Sequence, residues 1–126
     1  MSINAKKSSC LRIGQAYNQQ CSRLHTIDGH NITWSDSLRY LGTYIKAGKT
    51  FTCCLLHAKS SFYRAFNAVL GKVASVASEI AVVKLLKFKC LPILYYGLEA
   101  CPINKAQYNS LNFVLHSSFR KIFRTN

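Results

Sequence analysis

The spacing of apolar residues changes once along the chain, near residue 48, from a period of two to a period of about 3.6. Before that point Leu11 and Ile13 alternate with Arg12 ahead of Gly14, which predicts a short strand with one buried face. A hairpin is predicted from Leu24 to Thr33, with Leu24 and Ile27 before the turn string Asp28-Gly29-His30-Asn31 and Ile32 and Trp34 after it. Ser35-Asp36-Ser37 reads as a second turn. Leu38, Tyr40 and, across Gly42, Tyr44 and Ile45 then predict one more strand, Gly42 marking a bulge or a close approach of backbone.

Beyond Lys46-Ala47-Gly48-Lys49 the pattern is helical. Phe51, Leu55, Ala58, Phe62, Ala65 and Val69 recur at steps of four and three, predicting an amphipathic helix capped by Thr50 and ending near Gly71. A second helix is predicted from Ser78 as N-cap, with Glu79 favourable in its first turn. Its apolar face would use Ile80, Val83, Leu86 and Cys90, and Pro92 would kink or end it. A third starts at Asn104, where Gln107 completes a box-like cap, and would bury Tyr108, Leu111, Leu115, Phe119 and Ile122. Strands first and helices later make an α+β pattern: a short antiparallel sheet over 1–48, then a three-helix bundle over 49–126. No internal repeat, low-complexity tract or clear linker interrupts it.

Charge changes the picture more than length does. The 126 residues suffice for one modest domain, burying about two thirds of the unfolded surface. They carry 17 Lys plus Arg against four Asp plus Glu, a formal charge of +13. Such self-repulsion is relieved by a polyanionic partner. A hydrophobic fraction of 49%, with seven Tyr and seven Phe, separates the chain from disordered basic tails, which are poor in aromatics. The charge is therefore expected on a folded surface. Lys59 and Arg64 on the first helix, Lys84 and Lys87 on one face of the second, and Arg120, Lys121 and Arg124 at the end of the third give each helix basic residues with few acids between them. A surface so unbalanced suits phosphate contacts, which position a duplex without reading its sequence.

No apolar run follows Lys6 and Lys7, so no secretory signal is expected, and the uncharged stretch Cys90–Leu98 is far short of the roughly 20 residues of a membrane helix. An intracellular protein, cytoplasmic or nuclear and without a membrane partner, is the expectation. All six cysteines are then expected to be reduced thiols in or near the core. Cys53, Cys54 and His57 lie a helical turn apart, yet no Cys-x-x-Cys or paired Cys/His spacing accompanies them, and no metal site is expected in the chain. Two-metal nucleotidyl transfer needs clustered carboxylates, and Asp28 and Asp36 both lie in turn strings. Catalysis by this chain alone is not expected.

Three strings remain, in a fixed order: Asn4-Ala5-Lys6-Lys7-Ser8, Arg39-Tyr40-Leu41-Gly42, and Pro92-Ile93-Leu94-Tyr95-Tyr96-Gly97-Leu98-Glu99. In this order, with a Lys- and Phe-rich helical pattern between the second and third, they resemble the end of the palm and the thumb of non-LTR (LINE-type) retrotransposon reverse transcriptases. There an Asn-x-x-Lys-Ser/Thr string follows the catalytic hairpin, a Tyr-Leu-Gly string forms the primer grip, and a Pro…Tyr-Gly-x-Glu string lies in a helical thumb. The chain departs from the family in having no Tyr/Phe-x-Asp-Asp string, no earlier palm, and Ala100-Cys101 where the family places Trp.

The resemblance implies a fragment of an RNA-directed DNA polymerase, inactive alone, whose 1–48 region carries the primer-grip strand and whose 49–126 region is thumb-like. It implies Lys7 near an incoming nucleotide's phosphates, as clamp or proton donor, and Arg39, Tyr40, Leu41 and Gly42 at the primer end. Implied partners are an RNA template, an RNA–DNA hybrid or a DNA duplex, together with the rest of the polymerase. Mg²⁺ is implied for the complete enzyme and no cofactor for this chain. Two other readings share the composition. One is a stand-alone basic RNA- or DNA-binding module, which would prefer structured or single-stranded RNA to a hybrid duplex. The other is a decayed retroelement reading frame with no selected role, whose product would melt without a defined transition.

Overall fold

The computed structural model describes residues 2–73 and 75–124, and the fold is α+β. Two compact units divide it, residues 1–54 with the strands and residues 55–126 with the helices.

In the first unit, β1 (Ser9–Cys10), β3 (Asn31–Trp34) and β2 (Leu24–His25) lie side by side in that order, β1 parallel and β2 antiparallel to β3. The hairpin expected over 24–33 is present, with Leu24 opposite Ile32. Its turn is closed by Thr26, whose N–H donates to the His30 carbonyl at 2.8 Å and whose Oγ1 accepts from the His30 N–H at 3.1 Å. Gly29 sits there at φ +82°, which a side chain would resist. The strand expected at Leu11–Ile13 lies instead at Ser9–Cys10. Ser35 N–H takes the Cys10 carbonyl at 2.8 Å, and the chain then leaves β3 and makes a single parallel bridge from Ile13 to Gly48.

A second sheet runs β4 (Ser37–Tyr40), β5 (Thr43–Lys46), β6 (Thr52–Cys54), antiparallel throughout. It corrects two expectations. The strand predicted from Leu38 to Ile45 is two strands, and Gly42 is in the turn between them rather than at a bulge. The first helix was predicted from Phe51, yet Thr52, Cys53 and Cys54 pair with Lys46, Ile45 and Tyr44. Period-four spacing of 51 and 55 also satisfies a period of two, and the open edge of β5 decides between them. Among the described residues of this unit, Cys53 alone is buried.

The helical unit begins with α1 (Leu56–Val73). After it come α2 (Glu79–Leu85), a π-turn over Leu86–Cys90, α3 (Leu91–Tyr95), a 3₁₀ turn over Leu98–Ala100, and α4 (Lys105–Phe123). Ser78 caps α2, its Oγ accepting from Ala81 N–H at 3.4 Å. Asn104 and Gln107 cap α4 reciprocally, at 2.8 Å onto Asn104 Oδ1 and 3.2 Å onto Gln107 Oε1. That arrangement satisfies two otherwise orphaned N–H groups. Pro92 does not end the second helical segment. It has no N–H and its ring crowds the carbonyl four residues back, and the π-turn ahead of it, where Leu91 N–H donates five residues back to Leu86, carries the helical path past it. Gly97, at φ +76°, follows the close of α3.

The core lies among these helices. Phe62 and Phe66 of α1 are fully buried, with ring centroids 6.0 Å apart and planes within 5°. Around them are Val82, Leu86, Cys90 and Leu94, spaced four apart along the interrupted helix, and Leu111, Val114 and Ile122 of α4. Leu86 and Cys90 are where the periodicity put them. Ile80 is not: it is 71% exposed, because the buried stripe runs through Val82. Tyr108, expected inside, is exposed, and Val114 and Ser118 are buried on α4, the Ser118 hydroxyl donating to the Val114 carbonyl at 2.8 Å.

Cysteine chemistry also departs from expectation. Cys10, Cys21, Cys54 and Cys90 are free thiols, whereas Cys53 and Cys101 are not. Whether a thiol meets a partner depends on where the fold carries it, and spacing along the chain is silent on that. Among the described residues no helix is long and apolar enough to cross a membrane.

Truncating Phe62 to alanine should destabilise the chain by about 3–5 kcal/mol in denaturant titration, since the ring leaves a cavity its neighbours only partly fill. A loss below 1 kcal/mol would contradict the core described. Cys90 is fully buried, and burial pushes its thiol pKa up. A thiol-specific reagent at mildly alkaline pH should therefore modify Cys10, Cys21 and Cys54 in the native chain and Cys90 only after denaturation. Because the unfolded chain releases this proton first, stability should fall as pH climbs from the usual thiol range toward the raised native value.

Candidate nucleic-acid interface

Arg39-Tyr40-Leu41-Gly42 forms the outgoing strand and tip of the β4–β5 hairpin. Arg39 stands opposite Tyr44 and Tyr40 opposite Thr43, leaving a two-residue loop of Leu41 and Gly42 with φ of +47° and +80°. Positive φ at both loop positions is the type I′ arrangement, whose twist matches the strands and which favours Asn-Gly. Gly42 fits it. Leu41 does not, since a side chain in the left-handed region costs about 1–2 kcal/mol. Tyr40 and Leu41 are 62% and 72% exposed at this tip. The Arg39 guanidinium carbon lies 5.9 Å from the centre of the Tyr44 ring, so the cation is steadied across the ladder while the residue stays exposed.

Lys7 lies in a turn closed by its own N–H donating to the Asn4 carbonyl at 3.0 Å, with Lys6 N–H on Asn4 Oδ1 at 3.1 Å. Asn4 thus shapes the loop that presents Lys7, which is exposed.

On the helical unit the basic residues are not equivalent. Lys59 Nζ donates to Ser110 Oγ at 2.7 Å, joining α1 to α4 from a half-buried position. Arg64, Lys84 and Lys87 are exposed. The α-helical register that puts Lys84 and Lys87 on one face is widened here, because the π-turn begins between them. Phe88 projects at the same place, exposed beside Lys87 and Lys89. The π-turn leaves no periodic signal, so the sequence did not single out this aromatic. Arg120 and Lys121 occupy the last turn of α4, where the helix dipole favours cations, and Arg124 follows at φ +50° with its N–H on the Arg120 carbonyl. Lys121 and Arg124 border a recess of about 200 Å³ with Glu79 on its other side. Ten Lys or Arg and two Glu fall between Leu55 and Asn126, so even with Glu79 counted this unit is strongly cationic.

The Mg²⁺ of a complete polymerase does not suit the residues present. Among the described residues no three His, Cys, Asp or Glu side chains gather to hold a metal. Asp28 lies in the β2–β3 turn and Asp36 between β3 and β4. Comparison with protein-family models, with curated proteins and with solved structures finds no match to this chain.

Replacing Leu41 by Asn should raise stability by about 1 kcal/mol in urea titration by relieving the left-handed strain. An unchanged or lowered midpoint would contradict the turn geometry.

Proposed function

We propose that the chain holds template–primer nucleic acid by its backbone, as the primer-grip and thumb portion of an RNA-directed DNA polymerase, and performs no transfer chemistry itself. The observation that carries this reading is the β4–β5 tip. A hairpin needing only a turn would place Asn where Leu41 stands; here strain is retained and an exposed Tyr-Leu pair stands beside Arg39. Backbone strain of this kind concentrates at ligand-binding sites. Arg39 is available beside the tip for a phosphate, and Gly42 lets a sugar–phosphate chain approach closely. Lys84, Lys87, Arg120, Lys121 and Arg124 supply further phosphate contacts, while Lys59, tied to Ser110, acts first as a strut between α1 and α4.

Backbone recognition has a thermodynamic signature. With four to six phosphates neutralised, the logarithm of the association constant should fall against the logarithm of salt concentration with a slope of about −4 to −5. Replacing Arg120 and Arg124 by Ala should bring the slope about two units closer to zero, equally for duplexes of different sequence. Fluorescence anisotropy with a labelled RNA–DNA hybrid reads both, and a flat salt response would overturn the mechanism.

A further inference from the structure

Away from the hairpin tip, a cleft of about 300 Å³ opens in the strand unit, and none of the residues discussed above as phosphate contacts lines it. Its lining comes from residues 17–21, from the end of β3 with the Ser35-Asp36 turn, and from Arg12 and Ala47. Trp34, the chain's single tryptophan, lines it at 41% exposure, and Tyr17 faces the same space at 37%. The indole is fixed: its Nε1–H donates to the Ser22 carbonyl at 3.1 Å. The segment that carries Tyr17 is tied down as well. Arg12 Nη1 donates to the Gln19 carbonyl at 3.0 Å, Gly14 N–H to the Gly48 carbonyl at 2.9 Å, and Tyr17 N–H to the Gly14 carbonyl at 3.1 Å. Asn18, Gln20 and Asp36 bring amide donors and acceptors and a carboxylate acceptor to a lining that also includes Cys21, Ser35 and Ala47.

Two half-exposed aromatic rings, the indole held by its hydrogen bond to Ser22 and Tyr17 carried on a hydrogen-bonded turn, flanked by hydrogen-bonding side chains, match the needs of a flat heterocycle with a polar edge. A paired base cannot enter, because its edge is occupied and its faces are stacked. We infer that this cleft takes an unpaired nucleobase of a single strand, stacked on Trp34, with Asn18, Gln20 and Asp36 meeting its hydrogen-bonding edge. Base–aromatic stacking tolerates any base, so affinity comes from Trp34 and Tyr17, and the polar lining adds preference among bases. The inference rests on the nucleic-acid reading above but uses different residues, and it gives the chain a site for the template strand beyond the duplex.

Trp34 reports on its own site. The full chain is titrated with a single-stranded oligoribonucleotide, with the same oligomer made abasic, and with an RNA–DNA hybrid of equal length; Trp34 emission is followed beside the anisotropy of the labelled strand. The expected result is loss of Trp34 emission with the base-bearing single strand only, while all three bind by anisotropy. Trp34→Leu and Tyr17→Leu should each weaken single-strand binding about tenfold and leave the hybrid affinity unchanged. Salt-dependent binding of all three ligands with equal emission change would overturn the cleft as a base site and leave the backbone reading standing. Absence of binding to any of them would overturn both.

Discussion

Apolar packing around Phe62 and Phe66 has to hold the helices together against a cationic surface. Ten basic side chains and two acidic ones belong to the helical unit, and bringing like charges together opposes compaction. What opposes that repulsion is a core of aromatic and branched side chains drawn from α1, the interrupted segment α2–α3, and α4. The π-turn matters to this balance. It lets the chain pass Pro92 without breaking the stripe that runs from Val82 through Leu86 and Cys90 to Leu94, so one long apolar edge meets α1 where a straight α-helix would have stopped short. Ser118 fits the same logic, since its hydroxyl is returned to its own helix at Val114 and leaves no polar demand in the core.

Local chemistry was legible in the sequence wherever it decided the outcome. The Asn104/Gln107 cap and the Ser78 cap are set by side chains reaching nearby N–H groups, and the Asp28-Gly29 turn by a left-handed glycine; all three are present. What could not be read was what distant partners decide. Thr52–Cys54 became a strand because β5 offered an edge, and Ser9–Cys10 displaced Leu11–Ile13 because β3 ends at Trp34. In the sequence Gly42 reads as a bulge or a close backbone approach because Tyr40 and Tyr44 alternate as if on one strand, although the same spacing fits a two-residue hairpin. That Cys53 and Cys101 differ from the four free thiols likewise carries no local signal.

The candidate surface divides in a similar way. Arg39 to Gly42, Arg120, Lys121 and Arg124 stood out as charge and motif, and their exposure leaves them available to a polyanion. Lys59 looked equivalent until its hydrogen bond to Ser110 set it apart. The Leu41 strain and the Trp34 cleft are hidden from the sequence, one in a φ angle and the other in a loop fold, and at both an aromatic or apolar side chain is exposed. Cationic helices would supply attraction from a distance, and these two rigid features would supply contact.

The most direct test of backbone gripping is a residue-resolved map, from amide ¹H–¹⁵N spectra of the full chain with and without an RNA–DNA hybrid duplex at low salt. The proposal requires shifts at Arg39–Gly42, around Lys84 and Lys87, and at Arg120–Arg124, reversed by added salt. Shifts absent from all three segments, or insensitive to salt, would contradict it.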